Sequence, residues 1–71
     1  MKRYAIVIED AGPNLAAYVP DLPGCVATGD TQEEVERLIR EAIELHLAGL
    51  AEDGLPAPEP SSRVEYVEVN A

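Results

Sequence analysis

Between Arg3 and Glu9 the chain places Tyr4, Ile6 and Ile8 on one face of an extended run and Ala5 and Val7 on the other. A strand that is apolar on both faces belongs at the centre of a sheet, covered on both sides. A single helix can cover only one of those sides, so the other calls for a second subunit. The polar cluster Glu9–Asn14, with Gly12 and Pro13 inside it, predicts a reversal into a second strand over Leu15–Val19. Pro20 ends that strand, because proline has no N–H to give to a ladder. Pro23-Gly24 suits the two central positions of a type II turn. Cys25 to Gly29 then reads as a short third strand, with Cys25, Ala27 and Gly29 facing opposite to Val26 and Thr28; its small residues suit an edge.

The period changes at Thr31. Thr31 followed by Glu34 is a capping box, and from Gln32 to about Asp53 the positions Val35, Leu38, Ile39, Ala42, Ile43, His46, Leu47 and Leu50 form one stripe at helical spacing. The predicted helix is about 33 Å long. Pairs at i, i+4 (Glu33 with Arg37, Glu36 with Arg40, Arg37 with Glu41) decorate its other side. Gly54 and Pro56 supply the stop. Prolines 56, 58 and 60 hold the following stretch to Ser62 extended, as a connector that carries the chain back across the molecule. Val64–Val69 reads as a last strand.

These elements define an α+β domain of β-β-β-α-β order. A right-handed crossover puts the last strand parallel to the first. Placed beside it, that strand makes the first one central, giving the sheet order 3-2-1-4 with one long helix on one face.

At 71 residues, a single domain spanning 1–71 is expected, near the size at which one core is barely sufficient without a partner, metal or disulfide. With no Trp or Phe and three Tyr, that core must come from Val, Ile, Leu and Ala. Homo-oligomerisation, as a dimer or higher, follows as an expectation. Fourteen acidic against five basic residues give a formal net charge of −9. Such a chain has little with which to neutralise phosphates, which argues against direct nucleic-acid binding. The acid excess suits a basic partner, and it equally suits plain solubility. The single cysteine, Cys25, excludes an internal disulfide and a Cys-cluster metal site and fits a reducing, cytoplasmic setting. The apolar run after Met1-Lys2-Arg3 ends at Glu9-Asp10, too short for a signal peptide or membrane span.

The run Pro20-Asp21-Leu22-Pro23-Gly24-Cys25, then Thr28-Gly29-Asp30-Thr31, Glu33-Glu34 and Glu41-Ala42-Ile43-Glu44-Leu45, closely resembles the HicB-like antitoxin family in content and spacing, and the likeness covers Tyr4 to Ser61. The resemblance implies a partial ribonuclease-H-like fold. It also implies that the protein binds and neutralises a HicA-like toxin, a small basic ribonuclease, as the antitoxin of a type II toxin–antitoxin system. Many HicB proteins carry a C-terminal helix-turn-helix or ribbon-helix-helix segment for operator DNA. This chain reaches Ala71 without one, so a short form is expected, with no direct contact to nucleic acid. The alternative function is a free-standing homo-oligomer of the same fold with a regulatory or other binding role and no toxin partner.

No catalytic, cofactor or metal residues are expected. His46, on the helix stripe, has no second His or Cys to share metal or catalytic work and reads as a packed residue. Cys25, after a Pro-Gly turn, reads as a small buried apolar residue. A ribonuclease-H-like nuclease would need an acid near the middle of the first strand, and Tyr4–Ile8 has none. The candidate partner-binding residues are Tyr18, Asp21 and Leu22. Tyr18 and Leu22 flank the double-proline turn and serve as contact anchors if exposed. Asp21 is placed to cap or pin that turn, with partner contact as its other use.

Overall fold

A computed structural model describes residues 1–71. Its elements are β1 (Val7–Asp10), β2 (Leu15–Tyr18), β3 (Val26–Gly29) and α1 (Gln32–Glu52), in that order. The strands form one antiparallel sheet of order β1-β2-β3. In the β1–β2 ladder Ile8 stands opposite Ala17 and Val7 opposite Tyr18; in the β2–β3 ladder Ala17 stands opposite Ala27 and Tyr18 opposite Val26. Cross-strand partners share a face, so Ile8, Ala17 and Ala27 form one row and Val7, Tyr18 and Val26 the row on the reverse.

The first row lies under the helix, which packs across β3 and β2. The core is Ala17 and Val19 from β2 and its end, Leu22 and Cys25 from the turn, and Val35 and Ile39 from α1. Tyr4, Ile6, Ile8, Leu15, Ala27, Ala42, Ile43 and Leu47 pack around it, half-buried. Cys25, Ala27 and Gly29 face inward and Val26 and Thr28 outward, as the alternation predicts. Gly29 is buried because the end of β3 meets the start of α1. A Cβ there would come within 2.9 Å of the Val35 backbone nitrogen and 3.1 Å of Glu34 Oε1, so glycine lets the two elements approach.

The helix start is capped much as predicted. Thr31 Oγ1 accepts from the Glu34 N–H at 3.1 Å, while the Glu34 carboxylate reaches one residue past the usual target and accepts from the Asp30 N–H at 3.0 Å. At the other end Gly54 takes φ 71°, the Leu55 N–H donates to Leu50 O and the Gly54 N–H to Ala51 O, closing a Schellman motif. Of the i, i+4 pairs predicted, Arg37 with Glu41 forms, at 3.7 Å. The helix is about 31 Å long whereas a four-residue strand spans about 13 Å. The sheet therefore supports only the first half of the stripe: Val35 and Ile39 are buried, whereas His46, Leu47 and Leu50 are half-buried.

Two expectations differ from the structure. The first strand enters the ladder at Val7, so Arg3–Ile6 lies outside it. Val64–Val69 is not part of the sheet, and the backbone hydrogen bonds outside regular elements reach no further than Leu55. With that segment outside, β2 is the central strand and β1 is an edge. The β-β-β-α portion stands, and the fourth position of the order 3-2-1-4 is vacant within one chain. Asp21 ties the connector to the turn at Ser61 and Ser62, and beyond those bonds nothing in the chain pairs with Val64–Val69.

Candidate functional site

Two surfaces carry the chemistry available for recognition: the face of the sheet turned away from α1, and the turn at Pro20–Cys25 with the connector strapped to it.

On the open face, the Val7–Tyr18–Val26 row meets solvent. Tyr18 is 42% and Val26 63% exposed. No helix covers this side. An aromatic residue flanked by β-branched neighbours on a bare sheet is the composition of a contact surface.

The turn is two consecutive reversals. The Leu22 N–H donates to Val19 O at 3.1 Å, and the Cys25 N–H donates to Leu22 O at 3.1 Å around Pro23 and Gly24, with Gly24 at φ 83° as the second reversal requires. Leu22, the residue shared by both, points inward and is fully buried. Its condition for acting as a contact anchor is unmet, and it packs the turn against the rest of the core. Tyr18 meets that condition.

Asp21 sits on the outer side of the same turn and clasps the connector. Its carboxylate accepts four hydrogen bonds: from the Ser62 N–H at 3.0 Å and hydroxyl at 2.8 Å, and from the Ser61 N–H at 2.9 Å and hydroxyl at 3.1 Å. These bonds, led by that from the Ser62 N–H, hold its pKa down to about 2 from an ordinary 3.8. Asp21 makes no side-chain bond within its own turn, which the backbone closes; what it pins instead is a segment 40 residues away, a partner that turn chemistry could not reveal. Two more ties hold the connector: the Tyr4 hydroxyl donates to Pro58 O, and Lys2 pairs with Glu59, a bond that raises the ammonium pKa. A shallow groove runs between Arg3–Ala5 and Pro60–Val64, where the connector passes the N-terminal run.

Cys25 is 4% exposed, and burial pushes its thiol pKa up, which makes it a poor nucleophile. His46 lies half-buried on the helix. No three His, Cys, Asp or Glu side chains are grouped to hold a metal ion. No helix is long and apolar enough to cross a membrane.

Residues 4–71 match the family model described as a HicB-like antitoxin of bacterial toxin–antitoxin systems. A UPF0150 protein of Helicobacter pylori is 49% identical over 49 residues, covering 69% of this chain and 68% of the relative. Another UPF0150 protein, from Synechocystis, is 39% identical over 70 residues, 94% of this chain and 86% of the relative. An uncharacterized 14.9 kDa protein in the rep–hol intergenic region of Haemophilus phage HP1 is 36% identical over 64 residues, 90% of this chain; that stretch is 48% of the phage protein, so the chain spans about half its length. No solved structure matches the chain.

Proposed function

The chain belongs to the family of HicB-like antitoxins of bacterial toxin–antitoxin systems, and from that membership we propose that it binds and neutralises a small basic HicA-like ribonuclease toxin. It acts in the cytoplasm by protein–protein contact, with no catalysis of its own and no direct hold on nucleic acid. The family match over residues 4–71 carries this reading. The net charge of −9 supports it, because a basic ribonuclease must present positive charge to RNA and an acidic protein can occupy the same surface. Tyr18, on the bare sheet face, is the contact residue that the geometry favours. Asp21 and Leu22 shape the turn beside it.

The test is co-expression with a small basic HicA-like ribonuclease toxin. Rescue from growth arrest together with co-purification supports the antitoxin. A toxic partner that is neither rescued nor bound removes it. The association rate should fall as salt is raised; a rate indifferent to salt would sink the electrostatic part alone.

The second reading is a homo-oligomer of this fold with a regulatory role and no toxin, and one observation supports its self-association. Only seven residues are buried, and the exposed large apolar residues include Tyr18 and Val26 on the sheet and Val64, Tyr66, Val67 and Val69 beyond it. Self-association is compatible with both readings, and co-expression separates them.

A further inference from the structure

Residues 63–71 make up the largest unpartnered feature of the molecule. Tyr66 is 92% and Val67 82% exposed, and all nine residues lie at the surface. The composition of this tail does not suit that setting. Val64, Tyr66, Val67 and Val69 are among the residues that best fit a pleated sheet, and alternation gives each face of the segment at least one of them. The segment has no internal partner: the clasp at Asp21, the Tyr4–Pro58 bond and the Lys2–Glu59 pair hold the connector to the body as far as Ser62, and beyond that point no hydrogen bond ties the chain down.

The molecule also carries a matching vacancy. β1 pairs with β2 on one side only, so every second residue along it turns its N–H and C=O to solvent. Edge strands are normally guarded by charge, proline or a covering segment. In β1 only Glu9 and Asp10 serve that purpose, at one end, and Val7-Ile8 is unguarded. At about 3.3 Å per residue, Val64–Val69 spans about 20 Å, enough to line all of β1 and part of Arg3–Ile6 before it.

The tail does not close its own chain's edge. The molecule measures 48 × 26 × 19 Å with a radius of gyration of 13.8 Å, against about 11 Å for a compact chain of this length. An outgoing arm, a firmly held root and a vacant edge of matching length describe one half of an exchanged pair.

We propose that residues 63–71 of one copy add as a fourth strand to the outer edge of β1 in a second copy, and that the second copy's tail does the same in return. This deepens the self-association named above by assigning its interface. The exchanged strand makes β1 central and extends the Val7–Tyr18–Val26 row.

Light scattering on the purified full chain should return twice 7.6 kDa. Val67→Pro, which removes a ladder donor outside the core, should halve that mass and leave the helical circular dichroism unchanged. Co-expression of a chain carrying Glu9→Cys with a differently tagged chain carrying Glu65→Cys, Val67→Cys or Val69→Cys should give a disulfide between the two tags for at least one pair. A monomeric full chain would overturn self-association and exchange together. A dimer indifferent to Val67→Pro, or cross-links that form only when both cysteines lie in one chain, would overturn the exchange and leave self-association standing.

Discussion

Leu22 fills the middle of the core from a position between two prolines, where chain pattern gives no face to read. Neither the period of a strand nor that of a helix applies at a double turn, which is why the sequence could place Leu22 at a contact surface only conditionally. Its burial makes Leu22→Ala a core deletion, expected to lower unfolding free energy by about 2–5 kcal/mol in denaturant titration. Asp21, one residue earlier, works through a carboxylate whose folded pKa of about 2 lies below the ordinary 3.8. A depressed pKa contributes stability above the unfolded value and loses it as pH falls through the folded one. The clasp should therefore be complete above pH 3.8 and released as pH falls towards 2, seen as loss of protection at the Ser61 and Ser62 amides relative to their intrinsic exchange rates at each pH. Asp21→Ala should give the same release at neutral pH while the β2 and β3 amides keep their protection. The sequence marked Asp21 as a turn-pinning residue, and it could not show the serines because their 40-residue separation is closed only by the path of the connector.

Among the elements, α1 was the most legible, from Thr31 and Glu34 at its start to Gly54 just past its end, because capping chemistry is local. Thr31→Ala removes the acceptor for the Glu34 N–H and should cost about 1 kcal/mol in thermal or denaturant unfolding. Gly29→Ala should cost about 1–3 kcal/mol, since the new methyl meets Val35 backbone at 2.9 Å and neither β3 nor α1 can move without the other. The three-stranded meander was legible for a similar reason: Pro20, Gly24 and the Gly12-Pro13 cluster punctuate it. The fourth strand is a different case. Val64–Val69 has strand chemistry, but pairing depends on where the connector delivers the segment, and within the chain it lies outside the sheet.

For the molecule as a whole, the bare sheet face and the acid excess define how it can meet a partner. If Tyr18 anchors the toxin, Tyr18→Ala should weaken the complex by about 2 kcal/mol, roughly thirtyfold in Kd by titration calorimetry, with unfolding of the isolated chain little affected because the ring is 42% exposed. The family was legible in the spacing of the Pro20–Cys25 turn and the capped helix, while the contact surface was not, because exposure on a sheet depends on which side the helix takes. That same helix runs well past the sheet it covers. Its final turns have little buried surface to hold them, so they should open by local fluctuation at a much lower free energy than the turns bearing Val35 and Ile39. Native-state hydrogen exchange should show a gradient falling from Val35 towards Leu50. Each such opening pays out slack into the start of the connector, giving a protein this small an adjustable tether in place of a fixed frame.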